Sequence, residues 1–264
     1  MTTHTRQTLP RRVHQAQRNA PRGGEDGALR PLALMHPTLA LTNWNSHYWE
    51  EMDSFQIHSL LKSLAKRRPV FWSEADFQHE LAGEISRSLP LHRVRLEWPL
   101  PGEGIRALDL LVTGPEIPTA IELKYMTKKI ECEVDGETFS LRNQGAQDVR
   151  RYDVLKDVAR MEDFCRRRSN VRGYVVAITN DSLYWTGPSE NTNCSAFSLR
   201  NERMMTGRLD WLQKTGPGTM KNREKPIELM GDYKIFWHDY SDVGVNYGQF
   251  KYTVFEVGLG APEV

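Results

Sequence analysis

The fold of this chain is constrained most by two short apolar segments that carry charged residues at fixed positions. They run from Ala107 to Val112 and from Thr119 to Tyr125, and residues 113–118, which include glycine and proline, form a turn between them. Both segments are rich in branched apolar side chains, which predicts two antiparallel strands of one hairpin. If the hairpin folds symmetrically about its turn, Asp109 lies opposite Glu122.

The charged residues of the second segment are expected to share one face of the sheet. Because side chains alternate along a strand, Glu122 and Lys124 point to one side, while Ile121 and Leu123 enter the core. Like charges directly opposite each other destabilise a strand pair. At roughly 5 Å and an effective dielectric constant near 20, the repulsion is about 3 kcal/mol. A divalent cation would remove this penalty, so Asp109 and Glu122 are candidate ligands of Mg²⁺ or Mn²⁺. A surface hairpin with solvated charges is the alternative.

An Asp on one strand and Glu-x-Lys on the next strand resemble the signature of the PD-(D/E)XK nuclease superfamily. Here the pattern consists of Asp109, Glu122 and Lys124, and Leu108 stands in place of the proline in the family's name. The resemblance implies a restriction-endonuclease-like core and a metal-dependent nuclease that hydrolyses phosphodiester bonds, in DNA rather than RNA, with a setting in defence or repair. It also implies catalytic roles for these three residues, and the backbone carbonyl of Leu123 is a further candidate metal ligand.

Residues 73–89 predict a helix that precedes the sheet. Steps of 100° per residue place four apolar side chains on one stripe: Phe77, Leu81, Ile85 and Leu89. Glu74 and Gln78 fall within this stripe, whereas Glu80 points away from it. Glu74 followed one turn later by Gln78 resembles the acidic helix of virus-type replication-repair (VRR) nuclease domains, which implies Glu74 as a third metal ligand and Gln78 as a substrate-binding residue. For Glu74, a carboxylate placed at the helix start by the dipole is the alternative.

The segments around this motif predict further strands of an α/β domain. Residues 93–98 alternate as a strand with Val94, Leu96 and Trp98 facing inward, and residues 171–179 form an almost continuous apolar strand, as expected for burial on both faces. An Asp-Gly dipeptide at position 135 separates two alternating segments and predicts an inserted hairpin. At the base of that hairpin, Lys128 and Lys129 are expected to contact phosphates, and solvated surface lysines are the alternative.

A second long helix is predicted over residues 144–168. One side of this helix carries Gln144, Asp148, Arg151, Tyr152, Leu155 and Ala159. Polar side chains inside an apolar stripe indicate a cavity, and this side resembles the glutamine-and-tyrosine helix that borders the site in RecB-like nucleases. Asp148, Arg151 and Tyr152 are therefore expected to bind substrate, whereas Asp153 and Asp157 are expected on a solvated face.

The predicted elements give one nuclease-like domain over residues 46–264. Its core, about residues 73–180, has the superfamily's order of a helix, a three-stranded antiparallel meander, a helix and a strand. Residues 181–264 are expected to add a C-terminal β extension. Residues 1–45 hold six arginines against two acidic residues and predict a disordered basic tail.

Three more local predictions concern the ends of the domain. A helix is expected over residues 48–68, with an apolar face and a cluster of basic residues before Pro69. In the extension, a helix is expected around residues 199–212, and two strands are expected over residues 233–240 and 249–257.

Composition limits the compartment and the partners. The chain has 35 basic and 34 acidic residues, so a surface for nucleic acid would have to be local. Its three cysteines lack CxxC spacing, which favours a reducing compartment, and no apolar run reaches 18 residues. We expect a cytoplasmic protein without a membrane segment that binds nucleic acid, and a homodimer and an assembly with a partner protein both remain open. The alternative function is a catalytically inactive nuclease-fold module that binds nucleic acid or a protein partner.

Overall fold

The central feature of the fold is a six-stranded mixed sheet with helices on both of its faces. The computed structural model describes residues 55–100, 107–168, 170–189 and 191–258. The predicted α/β class is confirmed by this architecture. The expected basic tail over residues 1–45 lies outside the described residues, as do the first residues of the helix predicted from Tyr48.

In the described part of the chain two helices come first, and five strands follow them before the longest helix. The helices are α1 (Ile57–Arg67), α2 (Glu74–Ser88), α3 (Gln147–Arg167), α4 (Leu183–Thr186) and α5 (Pro217–Met220), with a 3-10 helix over Ser195–Phe197. The strands are β1 (Arg93–Pro99), β2 (Ala107–Thr113), β3 (Thr119–Met126), β4 (Ile130–Val134), β5 (Glu137–Leu141), β6 (Arg172–Thr179), β7 (Met204–Leu209), β8 (Ile227–Lys234), β9 (His238–Asp242) and β10 (Gln249–Val257). In α2, the Ser73 side chain caps the helix by accepting a hydrogen bond from the Asp76 N–H.

The central sheet contains the predicted meander and the strand that follows it. Its spatial order is β1-β2-β3-β6-β10-β9. Strands β1, β2 and β3 are antiparallel, β3 and β6 are parallel, and β10 is antiparallel to both of its neighbours. The predicted inserted hairpin is β4 and β5, which pair about Asp135 and Gly136, and both turn residues have positive φ, as a tight two-residue hairpin turn requires.

The register of β2 and β3 is the one that the symmetric hairpin predicts. Leu110 pairs with Ile121, and Val112 pairs with Thr119. The ladder stops before Asp109 and Glu122, so these two residues do not form a regular pair. Their position next to the end of the ladder brings the carboxylates to the place where β2 and β3 separate.

Each face of the sheet carries its own hydrophobic core. One core includes Leu110, Ile121, Leu123 and residues of α1, α2 and the β4–β5 hairpin. The other includes Ala120, Val175 and residues of α3, β7 and β8. Because Ala120 belongs to the second core, the β3 residues that share its face, Glu122 and Lys124, point toward α3.

Strand β1 departs from the predicted alternation. Glu97 has a φ of 47°, a left-handed conformation that is uncommon for a residue other than glycine. As a result, Val94 packs against the first core but Trp98 packs against the second. Leu96 pairs with Leu110 of the first core, but it is 38 % exposed because it lies on the edge strand.

The C-terminal extension is built mainly of strands, as predicted. The strand predicted over residues 249–257 is confirmed as β10, whereas residues 233–240 divide between the end of β8 and the start of β9. The helix predicted over residues 199–212 is wrong, because this segment forms β7 and pairs with β8. That pairing buries Met205 and Leu209, and it depends on a partner strand distant in sequence. Within the described part of the chain, no helix is long and apolar enough to cross a membrane.

Candidate active site

Asp109 is fixed beside β3 by its own carboxylate. Its Oδ2 accepts a hydrogen bond from the Leu123 N–H at 2.6 Å, where a regular ladder would have used a backbone carbonyl. Burial raises the pKa of Asp109 to about 6, and the nearby Glu74 and Glu97 act in the same direction against the Leu123 amide and Lys124. The site therefore holds a carboxylate in surroundings that disfavour its negative charge.

Glu122 lies deeper than Asp109 and is only 2 % exposed. Its Oε2 forms an ion pair with Nη2 of Arg160, and its Oε1 has no hydrogen-bond partner. Burial raises the pKa of Glu122 to about 8; Asp109 and Asp157 raise it further, and Arg160 opposes them. Asp109 and Glu122 thus interact unfavourably, as the sequence predicts for two carboxylates at this position.

Lys124 shares the face of Glu122 and binds acceptors from two elements. Its Nζ lies 2.8 Å from Oδ2 of Asp157 on α3 and 2.9 Å from the Leu123 carbonyl oxygen. Glu74 Oε1 lies 4.0 Å away. Burial lowers the pKa of Lys124, but Asp157 and Glu74 outweigh burial and the net shift is upward. Lys124 is therefore a charged ammonium group at neutral pH.

Helix α2 contributes Glu74 and Gln78 to this region. Glu74 Oε2 accepts a hydrogen bond from the Tyr125 N–H at 2.9 Å, which joins the start of α2 to β3. The buried Gln78 donates through Nε2 to the Asp109 carbonyl oxygen at 2.7 Å and to Glu97 at 2.8 Å. Gln78 therefore positions β1 and β2, and its Nε2 is already engaged by protein groups.

Glu74 and Lys124 border an open cavity of about 750 Å³ beside α3, whereas Asp109 and Glu122 are not among its lining residues. Its lining residues are Glu74, Lys124, Arg150, Asp153, Lys156, Asp157, Ala159, Arg160, Asp163 and Arg167. Most of them come from one side of α3. The helix contributes both basic and acidic side chains to this lining, and Lys124 adds an ammonium group from β3.

The side of α3 that faces the cavity differs from the predicted side. Asp157 and Arg160 reach the strand residues, so the prediction that Asp157 is solvated is wrong. The structure does not bring Asp148, Arg151 or Tyr152 to the cavity.

Asp148, Arg151 and Tyr152 instead face the C-terminal extension. Arg151 is buried and donates to the Leu183 carbonyl oxygen, and the buried Tyr152 donates through its hydroxyl to the Lys225 carbonyl oxygen. Asp148 Oδ2 lies 3.4 Å from Nδ2 of Asn193. The physical reason is that the extension covers this side of α3, and its backbone carbonyls satisfy the polar groups.

Lys128 and Lys129 also lie away from the lining of the cavity. Lys128 Nζ lies 4.5 Å from the centroid of the Tyr247 ring and 3.9 Å from Oδ1 of Asp181. Nζ of the exposed Lys129 lies 3.6 Å from Oε1 of Glu131. Their predicted contacts with phosphate would therefore involve a substrate that extends beyond the cavity.

Three residues of the site were missed by the sequence-based prediction. Asp157 and Arg160 are one helical turn apart and fit a surface ion pair equally well, so their spacing alone did not distinguish them. Glu97 was treated as an outward residue of an ordinary strand. In the structure Glu97 lies opposite Asp109, between the Leu96–Leu110 and Trp98–Leu108 pairs, and the sequence analysis predicted no register for these two strands.

The donor set of the site suits a hard divalent cation. Asp109, Glu122 and Glu74 provide carboxylate oxygens, the Leu123 carbonyl adds another oxygen, and Oε1 of Glu122 is a buried acceptor without a partner. In the described ranges, however, no three His, Cys, Asp or Glu side chains are grouped closely enough to hold a metal ion. The positive charge next to Asp109, Glu122 and Glu74 comes from Arg160 and Lys124.

Comparisons of the chain with models of protein families, with characterised proteins and with solved structures give no match.

Proposed function

We propose that this protein is a metal-dependent nuclease that hydrolyses phosphodiester bonds, with DNA as its substrate. The observation that carries the proposal is the convergence of Asp109, Glu122 and Lys124 beside an open cavity, with Glu74 joined to the same strand. A parallel pairing of β3 with β6 and the order of the elements from α2 to β6 support a restriction-endonuclease-like core.

Each residue has a distinct role in this proposal. Asp109, Glu122 and Glu74, with the Leu123 carbonyl, hold Mg²⁺ or Mn²⁺. The bound ion supplies Lewis-acid polarisation of the phosphate and a lower pKa for the attacking water. Lys124 orients that water and stabilises the negative charge that develops on the phosphate oxygens. Asp157 keeps the Lys124 ammonium in place on the side of the cavity.

The proposal is tested by incubating the full chain with linear, circular, branched and single-stranded DNA and with RNA. Each substrate is combined with Mg²⁺, with Mn²⁺ and with EDTA. We expect cleavage of at least one DNA substrate with either metal and none with EDTA. Cleavage that persists in EDTA, or no cleavage of any substrate with either metal, would contradict the assignment.

The contribution of α2 is tested by comparing two of its glutamates. Glu74 lies beside Lys124 and lines the cavity, whereas Glu80 lies 3.8 Å from Arg68 outside the lining. We expect Glu74→Ala to lower the cleavage rate at least ~10-fold, since a metal ligand contributes directly to charge stabilisation. Glu80→Ala is the matched control and should cleave within about 2-fold of wild type. Equal losses in the two variants would remove Glu74 from the site.

A second candidate function is a catalytically inactive module that binds nucleic acid or a protein partner. The observation that favours it is the internal charge compensation of the site, in which Glu122 is paired with Arg160 and Lys124 with Asp157. This candidate predicts tight DNA binding without cleavage under every metal condition.

A further inference from the structure

Arg160 is the cation that α3 supplies to the carboxylates of the sheet. Its Nη2 forms an ion pair with Oε2 of Glu122 and also lies 3.3 Å from Oδ1 of Asp157. A carboxylate buried as deeply as Glu122 is strongly disfavoured unless a positive charge compensates it. Arg160 therefore provides at Glu122 the compensation that a divalent cation would provide in a metal-bound site.

Arg160 belongs to a closed network that joins β3 to α3. Glu122 and Lys124 lie two residues apart on one face of β3, and Asp157 and Arg160 lie one turn apart on α3. Asp157 contacts both cations: its Oδ2 lies 2.8 Å from Lys124 Nζ, and its Oδ1 lies 3.3 Å from Arg160 Nη2. Asp157 would thus remain paired with Lys124 if Arg160 moved away from Glu122.

The surroundings of Arg160 leave it room to move. Its side chain is 24 % exposed and forms part of the cavity wall. Its Nε is buried without a hydrogen-bond partner, so the guanidinium group is held mainly through one nitrogen. A guanidinium group that turns into the cavity can donate two parallel hydrogen bonds to a phosphate, which an arginine binds well.

We propose that Arg160 and the metal ion compete for Glu122, and that Arg160 turns toward a nucleic-acid phosphate when the metal ion is bound. This inference rests on the proposed nuclease function. A metal ion on the unpartnered Oε1 of Glu122 would lie beside the guanidinium group on Oε2, and repulsion between the two cations lowers the metal affinity of the free protein. Nucleic acid that draws the guanidinium group into the cavity raises that affinity, because coupling between two ligands is reciprocal.

The inference is tested by titrating the full chain with Mn²⁺ in a calorimeter, in the absence of nucleic acid. Arg160→Met keeps the apolar stem and removes the charge, and we expect it to bind Mn²⁺ at least ~10-fold more tightly than wild type, a typical size for coupled sites. Lys156→Met is the matched control, since Lys156 lines the same cavity but has no ion pair with Glu122 in the described structure. The control should bind Mn²⁺ within about 2-fold of wild type.

A second measurement follows the wild-type protein and needs a variant only to assign one signal. The Nε–H signal of Arg160 in a ¹⁵N spectrum, assigned with Arg160→Lys, should shift on addition of Mg²⁺. The Nε–H signal of Arg223, which donates to Asp153 at 2.7 Å, serves as the internal control and should stay in place. An Arg160 signal that does not move at saturating Mg²⁺ would overturn the inference.

The possible failures are distinguishable. If wild type binds Mn²⁺ and cleaves DNA but Arg160→Met binds no more tightly, the competition is wrong and the proposed function stands. If neither protein binds Mn²⁺ and no DNA is cleaved, both proposals fall.

Discussion

Replacing Lys124 with methionine should slow cleavage in Mg²⁺ at least ~100-fold, the usual loss when one electrostatic group is removed from a catalytic site. The ammonium group faces the cavity from β3 and is expected to matter more in the transition state than in the ground state. DNA binding, measured in Ca²⁺ by fluorescence anisotropy, should therefore stay within a few-fold of wild type. Asp157 also lies 3.3 Å from Arg160, so the loss of Lys124 does not leave this carboxylate without a cation.

The control for Lys124→Met is Lys66→Met, because Lys66 is exposed on α1 and does not line the cavity. Lys66→Met should cleave at the wild-type rate. That result would show that the loss of one positive charge is not sufficient to slow cleavage. If Lys124→Met cleaves at the wild-type rate, the proposed nuclease function with Lys124 in a catalytic role is wrong. Loss of folding is checked by circular dichroism before the rates are compared.

Replacing Asp109 with asparagine should abolish most of the stabilisation that Mg²⁺ or Mn²⁺ gives to the protein. A ligand at about 100 times its Kd stabilises the folded state by about 2.7 kcal/mol, which corresponds to roughly 5–10 °C in melting temperature for a domain of this size. Wild type should show a shift of this size in thermal melts. The asparagine oxygen can still accept the Leu123 hydrogen bond, so the metal-free variant should melt within about 3 °C of wild type.

Asp163→Asn is the matched control for the metal response. Asp163 lines the same cavity but pairs with Arg166 and Arg167 on α3. This variant should keep the full shift with either metal. If Asp109→Asn responds to metal like wild type, Asp109 is not a ligand, and a shift lost in both variants would indicate nonspecific binding to the acidic wall.

Much of the sheet was predictable because its signals are local. The β2–β3 register follows from the turn between two short strands, and the burial of β6 follows from its continuous apolar sequence. Strand β7 was predicted as a helix because its pairing with β8 depends on residues 18 to 30 positions away. Alternation failed in β1 because a single residue, Glu97, adopts a left-handed backbone conformation that no local pattern indicated.

The carboxylates of the site were predictable, but the helix that completes it was not. Asp109, Glu122 and Lys124 lie where strand alternation places them. Helix α3 carries polar residues on two sides, and each side is covered by a different part of the protein. Arg151 meets backbone carbonyls of the extension, while Arg160 meets Glu122. The sequence of α3 alone does not indicate which side packs against the C-terminal extension and which side faces β3.

The position of β10 against β6 bears on how this domain can be divided. Strand β6 is the last strand of the segment over residues 73–180, and its residues from Gly173 onward are buried. In the full chain residues 251–257 of β10 pair with residues 173–179 of β6 and cover this edge. A shortened chain that ended near residue 180 would present this apolar strand as an open edge, a template for self-association. The extension therefore completes the same sheet, and a domain boundary drawn after β6 would cut through that sheet.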